Sequence, residues 1–154
     1  MDIRDDFRLA MRKYVYSVSI FSNLDSNSNP NAITVSSVTS ISMDPPSILV
    51  CINKNSKIHE SVSVGSKFCI NLLKKNHKDL SNICSQKGSN ELRFINENWN
   101  LDSLPFIKNA QANIFCHVDK IYPYHTHSIV IGIVDDANYL NGISTLTYVD
   151  GQYK

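Results

Sequence analysis

The 154-residue sequence lacks the features that mark several large classes of protein. No apolar run approaches the roughly 20 residues that a membrane-spanning helix needs, so we expect no membrane partner. The acidic, polar start MDIRDDFR is unlike a secretory signal. The net charge is only +1, and lysine and arginine are scattered rather than massed, which argues against nucleic acid as a partner.

Paired cysteines and nucleotide-binding glycine motifs are also missing. The four cysteines form no Cys-x-x-Cys pair, so we expect buried free thiols in a reducing cytoplasm: Cys51, Cys69, Cys84 and Cys116. The sequence contains neither G-x-G-x-x-G nor G-x-x-x-x-G-K. His125 and His127 have no evident third ligand beside them, so we predict no metal site. No acid–base triad is evident either, and we assign no catalytic residue.

The apolar periodicity that is present predicts a mainly β protein. Helical spacing predicts a helix over 1–14, capped by Asp2, and a shorter one over 77–84 with His77 on its surface. Strands are predicted over 14–21, 32–36, 47–53, 68–73, 110–118, 127–134 and 144–149. We expect 14–21 to be half-buried and 47–53 to be central. The polar stretch 86–104 is interpreted as a loop, as a lid or as a dimer contact. The whole chain, 1–154, is predicted to form one domain with an antiparallel barrel.

Hydroxyl residues crowd the segment between two of the predicted strands. Five of them fall inside seven positions: Ser36, Ser37, Thr39, Ser40 and Ser42. An unpaired hydroxyl loses its water partners on burial, so these side chains should be solvated, bonded to backbone or turned toward a polar ligand. We interpret them as one wall of a ligand pocket.

A second polar signal follows directly after the predicted central strand. Asn55 or Ser56 can cap a short helix that opens at Lys57. Unpaired N–H groups at a helix start, together with a lysine, form a natural phosphate site. The local sequence taken alone favours an ordinary surface cap instead.

Considered together, these segments resemble the flavin reductase-like family, whose members have an FMN-binding split barrel. The resemblance runs from about Phe7 to the C-terminus. It is carried by FRLAMRKYVYSVSIFS, by AITVSSVTSISMDPPSILVCINKNSKIH, by FCINLL, by Leu92-Arg93-Phe94, by HTHSIVIGIV and by LTYVDGQY. The second of these segments is the most specific.

The resemblance implies an antiparallel Greek-key split β-barrel and an NAD(P)H:flavin oxidoreductase. Such an enzyme would transfer hydride from NADH or NADPH to bound FMN or FAD. It would be a cytoplasmic homodimer that supplies reduced flavin to a possible monooxygenase component. The implied cofactor-binding residues are Thr34, Val35, Ser36, Ser37, Ser40, Cys51, Asn53, Ser56, Lys57 and Phe94, and His127 is implied to place the nicotinamide. The pair His125-Thr126 replaces the family's Gly-Asp beside this nicotinamide site.

Two other interpretations stay open at this point. In one, the altered His125-Thr126 turn has abolished nicotinamide binding, and the protein is an FMN-binding flavoprotein or electron carrier. In the other, the chain is a non-catalytic barrel that binds haem or a protein partner. Bound flavin that nicotinamide does not reduce would favour the first, and a protein that binds no FMN would favour the second.

Overall fold

A computed structural model describes residues 2–88 and 90–154 of the chain. The α-helices are α1 (Ile3–Met11) and α2 (Lys78–Ser85), and short 3₁₀ segments cover Lys57–Ser61, Lys75–His77 and Asn90–Arg93. The strands are β1 (Tyr16–Ser17), β2 (Ser19–Leu24), β3 (Pro30–Val35), β4 (Thr39–Met43), β5 (Pro46–Asn53), β6 (Lys67–Leu72), β7 (Trp99–Asn100), β8 (Phe106–Ile107), β9 (Ala112–Tyr124), β10 (His127–Tyr139), β11 (Thr147–Val149) and β12 (Gln152–Tyr153). The predicted mainly β, antiparallel fold is confirmed.

Seven strands form the main sheet, in the order β3-β2-β6-β9-β10-β5-β4, and every neighbouring pair is antiparallel. Val35 of β3 and Val50 of β5 share one apolar core although their strands lie near opposite ends of this order. Phe21 and Phe68 stack in the same core with ring centroids 4.6 Å apart. Gly132 of β10 makes room for Phe68, because a Cβ at that position would lie 2.5 Å from Cζ of the ring.

The predicted strand 14–21 differs from the structure in two respects. It is interrupted at Val18: β1 pairs with β11, whereas β2 lies between β3 and β6. Its second part, in β2, is also buried on both faces rather than half-buried, whereas residues 14–17 are largely exposed. Ser19 and Ser22 are inside the protein, and the Ser22 hydroxyl donates to the Pro105 carbonyl at 2.6 Å. The alternating pattern had placed Ser19 on the polar face of the predicted strand, and Ser22 lies just beyond its predicted end.

The polar stretch 86–104 is ordered around a second apolar core. Trp99 and Ile107 of the β7–β8 pair are buried there beside Leu80 and Cys84 of α2. Asn71 of β6 joins this segment to the sheet, because its Oδ1 accepts from the Ile107 N–H at 2.8 Å. The prediction of a loop without strands was therefore wrong, since Trp99 anchors a small hairpin.

The helix predictions were correct in position but not always in environment. Asp2 caps α1, with its side chain accepting from the Arg4 N–H at 3.3 Å. Residue 1 of the predicted helix lies outside the described residues. His77 was predicted on the surface but is buried, and its Nδ1 accepts from the Lys74 N–H at 3.1 Å. Among the described residues, no helix has the length and hydrophobicity to cross a bilayer.

Candidate functional site

A cavity of about 540 Å³ lies beside β3, at the place where the chain leaves β5. Its walls come from β3, from the turn after β5, from the C-terminal end of α2 and from the Asn90–Arg93 segment: Asn31, Ala32, Ile33, Asn53, Asn55, Ser56, Lys57, Ile58, Cys84, Ser85, Gln86, Lys87, Gly88, Asn90 and Arg93. We call it the first cavity. Three of the sequence-predicted site residues, Asn53, Ser56 and Lys57, line it.

The hydroxyl segment continues from β3 beyond this cavity. Ser36 and Ser37 are exposed, and the Ser37 hydroxyl accepts from the Cys51 N–H at 3.1 Å and donates to the Cys51 carbonyl at 3.3 Å. These bonds hold the end of β3 against β5, so Ser36, Ser37 and Cys51 lie together. Ser40 lies apart from the cavity lining, because it pairs with Ile48 in the β4–β5 ladder.

The side chains of Thr34 and Val35 are already engaged within the fold. Thr34 Oγ1 donates to the Ser81 carbonyl of α2 at 2.7 Å, and Val35 belongs to the first apolar core. Their side chains are therefore not free for a ligand, and the family resemblance implies contacts through their main-chain groups instead. The Thr34 bond also fixes the distance between β3 and α2, which form opposite walls of the first cavity.

The turn after β5 orders the predicted phosphate end. Ser56 is the N-cap residue of a five-residue 3₁₀ helix, which begins at Lys57 as expected. Its hydroxyl makes no cap bond, and donates instead to the Asn53 carbonyl at 2.6 Å. Asn53 Oδ1 accepts from the Asn55 N–H at 2.9 Å. Lys57 is exposed at the cavity mouth, where its ammonium group is available to an anion.

Arg93 is one of the cavity residues that the sequence analysis did not assign to the site. Its guanidinium donates to the carbonyl of Ala32 in β3 and, at 2.6 Å, to the carbonyl of Gln86 after α2. With Lys57 and Lys87 it gives the described cavity lining three cations and no carboxylate. The motif Leu92-Arg93-Phe94 had located this segment, but the arginine itself carried no separate signal.

Phe94 lies on the other side of Lys57 from the hydroxyl segment. Its ring packs on Trp99 with centroids 4.7 Å apart and lines a second cavity instead of the first. This second cavity, of about 630 Å³, also contains Asp25 and Lys57. The structure therefore does not bring Phe94 together with Ser36, Ser37 and Cys51 in one cavity.

His127 begins β10 directly opposite Asn53 of β5. It is half-buried, and its Nδ1 lies 2.8 Å from the hydroxyl of Thr126, which together with His125 forms the turn between β9 and β10. His59 belongs to the 3₁₀ helix Lys57–Ser61, and its Nε2 lies 2.8 Å from the hydroxyl of Ser128. The described residues contain no cluster of three metal-binding side chains.

The surroundings of three cysteines and of Asp25 shift the pKa values of these groups. The four cysteines are free; burial raises the pKa of Cys84 to about 12 and also raises the pKa of Cys69 and Cys116. These three thiols therefore stay protonated, as expected of inert buried cysteines. Cys51 is half-buried, so the prediction of a buried thiol was wrong at that position. The Asn29 N–H, chiefly, lowers the pKa of the Asp25 carboxyl by donating a hydrogen bond to it, and the charge of Lys57 adds to that effect.

Comparison with known proteins agrees with this arrangement. The family model described as "Flavin reductase like domain" matches residues 11–154. The chain belongs to the flavin reductase-like family. The reductase component of an FADH(2)-dependent resorcinol hydroxylase from Rhizobium sp. strain MTP-10005 is 32% identical over 98% of this chain and 86% of its own length.

A second relative and a solved structure are also similar to the chain over most of its length. The FMN reductase (NADH) RutF of Yersinia enterocolitica is 30% identical over 82% of this chain and 70% of that protein. A crystal structure described as a flavin reductase, from Haemophilus somnus, superposes with a TM-score of 0.91 at 28% identity. It covers all of this chain, and the chain covers 99% of it. The fold that the resemblance implied is therefore shared along the full length.

Proposed function

We propose that the protein is an NAD(P)H:flavin oxidoreductase, one domain of residues 1–154 that binds flavin along β3. The observation that carries this proposal is the groove along β3, which consists of the first cavity and the hydroxyl segment that follows the strand. Exposed hydroxyls lie directly after the end of β3, and a cation-lined cavity lies alongside the strand. An isoalloxazine presents polar ring edges, and its ribityl tail ends in phosphate, so the two parts of the groove match the two parts of the cofactor.

The residues present fit the cofactor chemically. Ser36, Ser37 and the main chain of Thr34 and Val35 would hold the ring, and Cys51 would border it. Asn53 and Ser56 would face the ribityl chain, and Lys57 would bind the phosphate. When bound, flavin supplies a hydride-accepting ring, so the protein has only to bind and orient it. Hydride transfer between two stacked rings needs no protein acid or base, in keeping with our assignment of no catalytic residue.

His127 is proposed to place the nicotinamide. It stands on β10 across from Asn53, which lines the first cavity. Positioning a nicotinamide over the flavin would convert a bimolecular hydride transfer into an oriented one. NADH and NADPH both remain candidates for the donor.

A monooxygenase component is proposed to receive the reduced flavin. The support is the printed name of the Rhizobium relative, a reductase component of an FADH(2)-dependent hydroxylase. Because that relative aligns over nearly the whole of this chain, the comparison concerns the complete described fold. The four free thiols also support our proposal of a cytoplasmic protein.

The decisive experiment is anaerobic reduction of the flavin-loaded protein. Addition of NADH or NADPH should bleach the oxidised-flavin absorption near about 450 nm, which is a property of the cofactor. Flavin that binds but is not bleached would show a flavoprotein without nicotinamide use. No change in flavin fluorescence on titration with FMN or FAD would refute flavin binding altogether.

We also propose that the protein is a homodimer. Helix α1 buries none of its residues, and it leaves Ile3 77% and Phe7 65% exposed. A contiguous apolar face of this kind usually marks a contact surface. A second copy fits because the family resemblance implies a dimer. Light scattering at micromolar concentration should give twice the chain mass, and Phe7→Asp should lower it; a monomeric wild-type protein would refute the proposal.

A further inference from the structure

The second cavity adjoins the first, and the two share lining residues. Lys57, Gly88 and Asn90 line both of them. The second cavity is completed by Asp25, Asn29, Pro30, Glu91, Phe94 and Ile95. Strand β3 runs past both: Pro30 borders the second cavity, Ala32 and Ile33 border the first, and the exposed serines follow. A ligand lying along β3 can therefore pass from the hydroxyl end, by Lys57, into the second cavity.

The two cavities differ in charge. The described lining of the first cavity has three cations and no carboxylate, whereas the second has Asp25 and Glu91 with only Lys57. Hydrogen bonds that lower the pKa of Asp25 keep it ionised. Phosphate groups are thus favoured at Lys57 and in the first cavity, and disfavoured beyond it. The part of a ligand that enters the second cavity should be uncharged.

The remaining walls suit a flat heterocycle with an amino group. Phe94 is fixed by its contact with Trp99, and Ile95 is 77% exposed, so among the described residues this cavity has apolar surface that is open to a ligand. The Asn90 amide nitrogen donates to the Pro30 carbonyl at 2.6 Å, which leaves its Oδ1 as an acceptor. The Glu91 carboxylate is a second acceptor. An exocyclic amino group such as that of adenine donates to such oxygens.

We propose that this protein binds FAD in preference to FMN, with the adenosine of FAD in the second cavity and its diphosphate at Lys57. The inference rests on the proposed flavin reductase function and specifies its cofactor. FMN would end at Lys57 and leave the apolar surface of Phe94 and Ile95 unused. Contact between a base and an aromatic ring changes affinity by about 5- to 100-fold. We therefore expect FAD to bind at least about fivefold more tightly than FMN.

The test titrates FAD and FMN, without nicotinamide, into three forms of the full chain and follows flavin fluorescence. Ile95→Ser removes apolar surface from the second cavity without adding charge. Ile143→Ser is the matched control, because Ile143 is 91% exposed and lines neither cavity. We expect Ile95→Ser to weaken FAD about five- to tenfold, to leave FMN within twofold, and the control to change neither. Unchanged FMN binding also shows that the variant is folded.

Four outcomes would overturn the inference. FMN binding as tightly as FAD to the wild-type protein would refute it while leaving a flavin reductase intact. So would an Ile95→Ser variant that loses FAD and FMN affinity equally. An Ile95→Ser variant that keeps its FAD affinity but has a raised KM for NADH would assign the cavity to the adenosine of the nicotinamide cofactor instead. Binding of neither flavin would refute the proposed function as well.

Discussion

Replacing Lys57 with alanine tests the tail end of the groove most directly. Lys57 is the cation that the two cavities have in common, and it lies one residue beyond the Ser56 turn. FMN carries a phosphate there, whereas riboflavin ends in a hydroxyl. Lys57→Ala should therefore weaken FMN and leave riboflavin almost unchanged.

The size of the effect follows from the exposure of the lysine. A hydrogen bond between charged groups contributes about 1.5–3 kcal/mol. Lys57 is exposed, so water and salt reduce this value. The ionised Asp25 carboxylate also competes for its charge. We expect a loss of about 1–2 kcal/mol, which corresponds to about 5- to 30-fold in the dissociation constant of FMN.

Fluorescence titration at two salt concentrations would measure this loss. The FMN affinity of the wild-type protein should fall with added salt, and that of Lys57→Ala should fall less. Lys54→Ala is a suitable control, because Lys54 is exposed and lines neither cavity, and its bond to the Thr126 carbonyl uses only the backbone N–H. Equal losses for FMN and riboflavin would refute the phosphate role, and so would an equal effect of the control substitution.

Three other substitutions test separate parts of the reasoning. His127→Ala should raise the KM for NADH several-fold with flavin affinity unchanged; unaltered NADH kinetics would remove His127 from the nicotinamide site. Gly132→Ala should lower the free energy of unfolding by about 1–3 kcal/mol, because its Cβ would meet the buried Phe68 ring, and urea unfolding would measure this. Burial lowers the pKa of His77, so below pH 6.5 the unfolded chain takes up a proton that the folded chain resists. The free energy of unfolding should therefore fall as the pH drops below 6.5. For the His77→Asn variant it should fall less, which urea unfolding between pH 5 and 8 would measure.

The central strands could be predicted because each carries its own apolar pattern. The segments predicted as 32–36, 47–53 and 68–73 are strands at 30–35, 46–53 and 67–72. Burial of alternate or consecutive apolar side chains is a local property, and it can be read without knowing the partner strand. The turn residues around each strand fixed the boundaries to within two residues.

Other elements depend on partners that lie far away in the sequence. β9 and β10 extend to Tyr124 and Tyr139, beyond their predicted ends, because each pairs with the other where their side chains are exposed and no core pattern forms. β4 was interpreted as a wall of hydroxyls, but it is an edge strand paired with β5. His77 and Trp99 were assigned to the surface and to a loop because the residues that bury them belong to other segments.

The candidate site likewise combines residues that are close in the sequence with residues that only the fold brings together. Asn53, Ser56 and Lys57 are near neighbours in the chain, and the family resemblance implied all three, whereas the local sequence alone favoured an ordinary surface cap. Arg93 could not be chosen by periodicity, since it lies in a polar stretch some 60 residues from Ala32, to which it bonds. The separation of Phe94 from the hydroxyl segment likewise depends on how the Asn90–Arg93 segment folds against β3.

The width of the groove is set before any ligand arrives. Thr34 bonds the Ser81 carbonyl, Ser37 bonds both main-chain groups of Cys51, and Arg93 bonds the Ala32 carbonyl. Each bond joins a side chain on one wall to the backbone of another. A substitution at any of these three positions should therefore change folding stability as well as flavin affinity. Lys57 makes no such bond among the described residues, which is why its substitution separates binding from stability.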